Sequence, residues 1–312
     1  MTELHTSTDN IPAEAQNCVL MIGNFDGIHL GHRALIGKAR DLAAEARAPL
    51  GIITFEPHPL RFFQPESEPF RLTLLPMKKR LLEGLGVNHL FVVEFNRKFS
   101  LMDGNEFIES LLTQRLKAMH LVVGGDFAFG REKSGTIKDL EGAAADGKFG
   151  LSIVKPVLSA QGKPCSSTVI RKLLRKGSLR DAEKLLGWPW QIEASIVPGD
   201  RRGHSLGYPT ANQNIPEYVR IPYGVYAVRV KIEGESLWRD GVANFGIRPM
   251  FKTPQPIFET FIFDFTLDIY GKIMRVQPVR YLRPELSFRG IDSLIAQMKE
   301  DCIAAKAVLK SS

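Results

Sequence analysis

Two rhythms of apolar residues divide the chain. In residues 18–155 short unbroken apolar runs, "CVLMI", "PLGIITF", "HLFVVEF" and "HLVVGGDF", alternate with stretches whose apolar positions recur every three or four residues. The stretch "GHRALIGKARDLAAEA" is of the second kind, with Leu35, Ile36, Ala39 and Leu42 on one face; "KKRLLEGLG" and "DGNEFIESLLTQRL" follow it. Unbroken runs fit strands buried on both faces, and the longer spacing fits amphipathic helices. Their alternation predicts an α/β fold with a doubly wound parallel sheet. Two further helices are predicted at "SSTVIRKLLRKG" and "LRDAEKLLG".

From "WQIEASIVPG" onward apolar and polar residues alternate one by one, in "YGVYAVRVKIEG", "LWRDGVANFG", "IFETFIFDF" and "KIMRVQPVRYL". Gly, Pro and Asp break these runs at short intervals, which predicts an antiparallel β-barrel. A last helix is expected at "GIDSLIAQMKEDCIAAKAVL". The change of rhythm near Gly187–Trp190 predicts two domains, 1–188 and 189–312. The leading "MTELHTSTDNIPAEAQN" is polar, lacks the apolar stretch of a secretory signal, and is expected to be a short disordered lead-in.

Composition narrows the class. A chain of 312 residues with 44% hydrophobic and 24% charged residues fits two soluble globular domains. The absence of any apolar run of about 18 residues argues against a membrane span. Three widely spaced cysteines, Cys18, Cys165 and Cys302, with no C-x-x-C, argue for a reducing cytoplasm and against both disulfides and a zinc site. The net charge of +7 is spread: 25 basic and 21 acidic residues in 1–190, 16 and 13 in 191–312. No basic block exceeds "MKKR", so small anionic substrates such as nucleotides are expected and nucleic acid is not. The oligomeric state is not legible.

The unusual residues follow predicted strand ends, where ligands bind in such sheets. After the first comes "GNFDGIHLGH", Gly23–His32. Glycines let backbone N–H groups approach a phosphate, and the helix start adds positive potential. His29 and His32 stand three apart on the first turn and face one pocket. A metal pair, a phosphate cradle and a plain turn are all compatible with this stretch alone; a zinc site lacks its further ligand. The pattern H-x-G-H resembles the signature of the nucleotidylyltransferase superfamily, and "SSTVIR", Ser166–Arg171, resembles its second half. That resemblance implies ATP binding by Gly23, Phe25, Asp26, Gly27, Gly31, Ser167, Thr168 and Arg171, with His29, His32 and Arg171 stabilising the reacting phosphates. Ser167 and Thr168 are expected to cap the helix. "TFEPHP" and "VVGGDFAFG" resemble the flavin-pocket loops of prokaryotic FAD synthetases, which implies Pro57, His58, Pro59, Asp126 and Phe127 at the flavin. Phe127 and Phe129 either flank its ring or fill the core.

A second site is expected in "GDRRGHSLGYPTANQN", Gly199–Asn214. The Thr210 hydroxyl and the Asn212 carbonyl are hard oxygen ligands suited to Mg²⁺ on nucleotide phosphates. The stretch resembles the flavokinase motif G-R-x-L-G-F-P-T-A-N, with His204 for arginine and Tyr208 for phenylalanine. The resemblance implies ATP at Gly203, Gly207, Pro209, Thr210 and Asn212, and flavin at Glu259, Arg283 and Glu285. Glu259 stands at the family's general-base position; Ile247 and Met250 replace usual threonines. In family order the likeness covers nearly all of residues 18–305, and points to the bifunctional riboflavin kinase/FMN adenylyltransferases. It implies a nucleotidylyltransferase domain before a riboflavin kinase barrel, with Mg²⁺, ATP, riboflavin, FMN and FAD as cofactor, substrates and products. Two rivals make different predictions. A nucleotidylyltransferase with another acceptor would not phosphorylate riboflavin. A nucleic-acid-binding protein would show salt-dependent binding and no ATP turnover.

Overall fold

The computed structural model describes residues 1–158, 162, 164–199, 207–247 and 256–311. It divides into two compact units, Met1–Glu68 with Leu75–Ser166, and Pro69–Leu74 with Ser167–Ser312.

In the first unit six strands form one parallel sheet: β1 (Glu3–His5), β2 (Val19–Ile22), β3 (Leu50–Glu56), β4 (His89–Glu94), β5 (His120–Gly124) and β6 (Gly150–Val154). Their order is β1-β4-β3-β2-β5-β6. Successive side chains of a strand point to opposite faces, so each apolar run is shared between two cores. Leu20, Ile22, Ile53 and Val93 pack with Phe107, Leu111 and Leu140 on one face. Val19, Met21, Ile52 and Val92 pack on the other with Ile36 and Ala39 of helix α1 (Leu30–Ala46) and with Leu82. With both faces covered, the strands read as unbroken hydrophobic runs. Chain order reverses at β2, with β3 and β4 on one side and β5 and β6 on the other. The loops leaving β2 and β5 therefore flank the crevice in which doubly wound sheets bind ligands.

The leading residues are ordered, contrary to the disordered lead-in expected from their polarity. Glu3–His5 add as a parallel edge strand beside β4, and Ala13–Ala15 form a 3-10 turn. Thr2 Oγ1 donates to the Val87 carbonyl (2.7 Å) and Glu3 N to the Asn88 carbonyl (2.8 Å). The buried residues here include Thr2, His5 and Thr8, so hydropathy carries little trace of the strand.

The second unit holds an antiparallel sheet of β7 (Ile192–Ser195), β8 (Thr210–Asn214), β9 (Gly224–Ile232), β10 (Arg239–Ile247), β11 (Pro256–Ile262) and β12 (Ile273–Arg283). The order β7-β12-β9-β10-β11-β8 curls until its edges nearly meet. Val197 N donates to the Asn212 carbonyl (2.8 Å), and buried Gln213 donates from Nε2 to the carbonyls of Ala194 (2.6 Å) and Met274 (2.7 Å). Tyr226, Phe245 and Phe258 are fully buried, and the Ile291–Lys310 helix covers the other face through Ala305 and Leu309 against Val225, Ala227, Val242 and Phe263.

The helices Ser167–Arg175 and Leu179–Leu186 belong by packing to this second unit, as does Pro69–Leu74. The Trp190 indole donates to the Leu72 carbonyl (3.0 Å), and Arg71 N to the Glu217 carbonyl (3.0 Å). Packing thus breaks ahead of the two helices, whereas the sequence rhythm changes after them. Helical periodicity reports an apolar face without saying which core it meets.

Candidate active sites

The loop after β2 is held in an uncommon backbone conformation. Gly27 has φ 89°, and two non-glycine residues, Phe25 (φ 45°) and Ile28 (φ 41°), also adopt the left-handed region. Each such residue costs about 1–3 kcal/mol. Both side chains are buried, so hydrophobic burial offsets that strain and fixes the loop. His29 then caps helix α1, its Nδ1 accepting from His32 N at 3.4 Å. The His29 and His32 rings stack with centroids 3.7 Å apart, and Phe25 lies 4.8 Å from His32. Gly31 permits this approach: a Cβ there would stand 3.0 Å from the His29 ring and 3.1 Å from the Cys165 carbonyl.

His32 Nδ1 is sealed from solvent without a hydrogen-bond partner. Burial, reinforced by His29 and the Lys78 ammonium, holds the His32 imidazole well below its usual range. His32 is accordingly neutral at pH 7, and Nε2 is the nitrogen left to reach a ligand. Beneath the loop lies Lys78, only 1% exposed. Its Nζ donates to the Asn24 carbonyl (2.8 Å) and Thr54 Oγ1 (3.0 Å) and stands 3.8 Å from Glu56 Oε1. In the sequence this residue was only part of the "MKKR" block, and nothing there signals a buried ammonium.

A cleft of about 730 Å³ opens beside the loop. Gly23, Phe25, His32, Pro59, Asp126 and Phe127 line it, joined by further phenylalanines such as Phe55 and Phe99. Gly27, His29, Gly31, Pro57, His58 and buried Asp26 are not among its walls. His58 is instead a helix cap, its Nδ1 accepting from Leu60 N at 3.1 Å. Phe127 and Phe129 stack 5.5 Å apart; Phe129 is a buried core residue and Phe127 is partly buried over it. The aromatic walls suit a flat ring system, and the polar end at Asn24 and His32 suits an anion.

Ser167, Thr168 and Arg171 pack in the other unit. The helix begins at Ser167, so Ser167 and Thr168 lie in its first turn. Arg171 Nε donates to the Phe70 carbonyl at 2.8 Å, with the guanidinium 5.4 Å over the Phe70 ring.

In the barrel, pairing aligns Asn212 of β8, Glu259 of β11 and Asn244 of β10 in one cross-strand row. Asn212 is buried, and its Nδ2 donates to the Thr210 carbonyl at 3.2 Å. A cleft of about 310 Å³ is lined by Tyr208, Thr210, Asn244, Glu259, Arg283 and Glu285. Thr210 and Pro209 also line a second cleft of about 530 Å³, so Thr210 stands between the two. Arg283 lines this cleft and is also held by an ion pair within the protein. Its Nε and Nη2 grip the two Asp301 carboxylate oxygens at 2.7 and 2.6 Å, fastening β12 to the terminal helix. Glu285 Oε1 accepts from Asn244 Nδ2 at 3.1 Å. Gly207 is exposed with φ 84°; Arg201, Arg202, Gly203, His204 and Met250 lie outside the described residues.

The sequence model of the FAD synthetase family matches residues 11–169, and that of riboflavin kinase matches residues 186–309. The bifunctional riboflavin kinase/FMN adenylyltransferase of Bacillus subtilis is 38% identical over 296 residues, covering 93% of this chain and 92% of its own. The chain belongs to the bifunctional riboflavin kinase/FMN adenylyltransferase family. The Escherichia coli K12 member is 36% identical over 294 residues, covering 94% of this chain and 93% of its own. A Streptococcus pneumoniae crystal structure described as a macrolide-efflux protein superposes with a TM-score of 0.80 at 31% identity, covering 96% and 97% of the two chains. Among the described residues here, no helix is long and apolar enough to cross a membrane. The two family matches follow the order of the two folds, with the parallel sheet in the first and the barrel in the second.

Proposed function

We propose that the protein makes FAD from riboflavin in two steps, each on its own domain, with 1–188 and 189–312 as the functional division. The barrel transfers the γ-phosphoryl group of ATP to the terminal ribityl hydroxyl of riboflavin, giving FMN. On the parallel-sheet domain an FMN phosphate oxygen then attacks the α-phosphorus of a second ATP; the bond to pyrophosphate breaks and FAD forms. The observation that carries this reading is the joint presence of both families' folds, with some of their motif residues lining a cleft in each, among them His32 and Asp126 in the first and Thr210 and Glu259 in the second.

For the kinase step, Glu259 accepts the ribityl hydroxyl proton as the oxygen attacks the γ-phosphorus. Its place in the row Asn212–Glu259–Asn244, next to Thr210, supports that role. Thr210 borders both clefts, which suits nucleotide in one and flavin in the other, with the reacting groups meeting at the wall between. A threonine hydroxyl, an asparagine carbonyl and a carboxylate within one end of the barrel form a hard oxygen donor set that fits Mg²⁺. Thr210 and Asn212 would hold that ion, which supplies charge neutralisation on the ATP phosphates. Arg283, oriented by Asp301, and Glu285 line the cleft proposed for flavin.

For the adenylyl step, the phenylalanine-lined cleft takes the isoalloxazine ring, with Asp126 and Phe127 beside it. His29 and His32 act at the α-phosphate. Their contribution is orientation of the phosphates and stabilisation of the charge that develops in the transition state. The resemblance of the SSTVIR stretch assigns ATP binding to Ser167, Thr168 and Arg171 as well.

Incubating the purified protein with riboflavin and MgATP and separating the flavins chromatographically tests the proposal. FMN should appear first and FAD after it. Absence of FMN refutes the kinase reading; FMN without FAD, when FMN and ATP are both supplied, refutes the adenylyltransferase reading.

A further inference from the structure

A cluster of side chains that neither reaction uses sits at the amino end of the parallel sheet. In β1, Glu3 and His5 are two residues apart and so share a face. The parallel register sets Glu3 opposite His89 and His5 opposite Phe91. His5 Nε2 and His89 Nδ1 share a hydrogen bond of 3.1 Å, which a bound ion would replace along with its proton. Glu3 Oε2 is 3.4 Å from that same His89 Nδ1 and 3.8 Å from that same His5 Nε2. Both imidazoles are buried, while the Glu3 side chain is 53% exposed.

These three atoms form a triangle whose size is informative. Edges of 3.1, 3.4 and 3.8 Å place its circumcentre about 2.0 Å from every corner, and zinc takes nitrogen and carboxylate oxygen ligands at about 2.0–2.2 Å. One ion near the triangle's centre would meet all three atoms at bonding distance with almost no movement. Two imidazoles and a carboxylate suit a borderline transition-metal dication and not Mg²⁺. The rings are also oriented by their surroundings. His5 stacks on Phe91 at 4.9 Å and 20°, and the Glu14 backbone hydrogen-bonds the His89 ring. Backbone support of a ligating imidazole is a common feature of metal sites. Burial holds His89 below the usual imidazole range, which favours the neutral, ligating form.

We propose that Glu3, His5 and His89 form a binding site for one zinc-class dication, separate from both active sites, which cross-links the terminal edge strand β1 to β4. A three-residue edge strand buries little by itself, and three metal bonds would tie β1 to the sheet. His89 opens β4, so the site lies at the opposite end of the strand from the carboxyl ends where the nucleotide loops emerge.

The test uses chelator-stripped full-length protein titrated with Co²⁺ and then Zn²⁺. One equivalent of Co²⁺ should give the visible absorption of a low-coordinate imidazole site, and one equivalent of Zn²⁺ should bleach it. Glu3→Gln, which alters an exposed ligand and spares the core, should weaken binding at least about tenfold. His5→Gln should abolish it, whereas His29→Asn should leave it intact and so exclude the His29–His32 pair as its source. Zn²⁺ should raise the melting temperature of the wild type more than that of Glu3→Gln, whose FAD formation stays unchanged. The proposal is overturned if no saturable equivalent binds, or if one binds undiminished in Glu3→Gln.

Discussion

Lys78→Met removes the buried ammonium while keeping an unbranched apolar stem. Nζ donates to the Asn24 carbonyl at 2.8 Å and to Thr54 Oγ1 at 3.0 Å, and faces Glu56 Oε1 at 3.8 Å. Bonds to a charged group each contribute about 1.5–3 kcal/mol, which sets the ceiling near about 6 kcal/mol. Two effects bring the loss down. The Asn24 carbonyl keeps the Thr54 hydroxyl at 3.2 Å, and the several kcal/mol spent desolvating the ammonium are recovered. The net expectation is a loss of about 2–3 kcal/mol, confined to the first unit. The tryptophans, Trp188, Trp190 and Trp238, all lie in the second unit, so their fluorescence follows that unit alone. Amide exchange in β2 and β3 follows the first, where protection of Leu20, Met21 and Ile53 should drop roughly 30- to 150-fold. The tryptophan unfolding midpoint in urea should not move. Losing the Lys78 charge should also raise the His32 pKa toward its usual range, visible in an NMR titration. Unchanged protection in β2 and β3 would show that desolvation cancels the two bonds, and would refute the reasoning.

Other substitutions test the separate roles. His29→Ala should lower kcat/KM for FAD formation roughly 10²–10³-fold while riboflavin phosphorylation persists; loss of both in a folded variant would contradict separate sites. Glu259→Gln should cut kinase turnover by roughly 10²–10⁴-fold with ATP binding retained in equilibrium titration, and near-normal turnover would remove Glu259 as the base. Asp301→Asn leaves the Arg283 guanidinium without its bidentate partner, and should cost about 3 kcal/mol in the tryptophan-detected transition and raise the riboflavin KM more than it lowers kcat. The pH response of the first unit follows from His32, His89 and His120, all lowered by burial in the fold. Below about pH 6.5 the unfolded chain takes up protons that the folded histidines refuse, so stability is full above that pH and falls on acidification. The slope approaches about 1.4 kcal/mol per pH unit for each histidine, and His32→Gln should flatten it. Amide-exchange protection that rises between pH 7 and pH 5.5 would refute this linkage.

Much of the molecule is legible in the sequence by itself. The unbroken runs of β2–β5, the helical spacing of α1 and the one-by-one alternation after Trp190 determine the two fold classes, because apolar burial leaves a local, periodic trace. The loop chemistry is equally local: Gly23–His32 and Pro209–Asn212 carry their glycines, imidazoles and oxygen ligands within a few residues. The tertiary structure decided what depends on partners distant in the chain. Lys78 is buried because Asn24 and Thr54 receive its protons, and Arg283 faces Asp301 because the terminal helix crosses there. It selected Pro59 over Pro57 and His58 for the cleft wall, and set Phe129 in the core with Phe127 above it. It also ordered the polar leading residues into β1, joining Glu3 and His5 to His89 across 84 positions of sequence. A buried polar group is stable only with its hydrogen-bonding or charged partners in place, and those partners come from tertiary contacts that hydropathy does not encode.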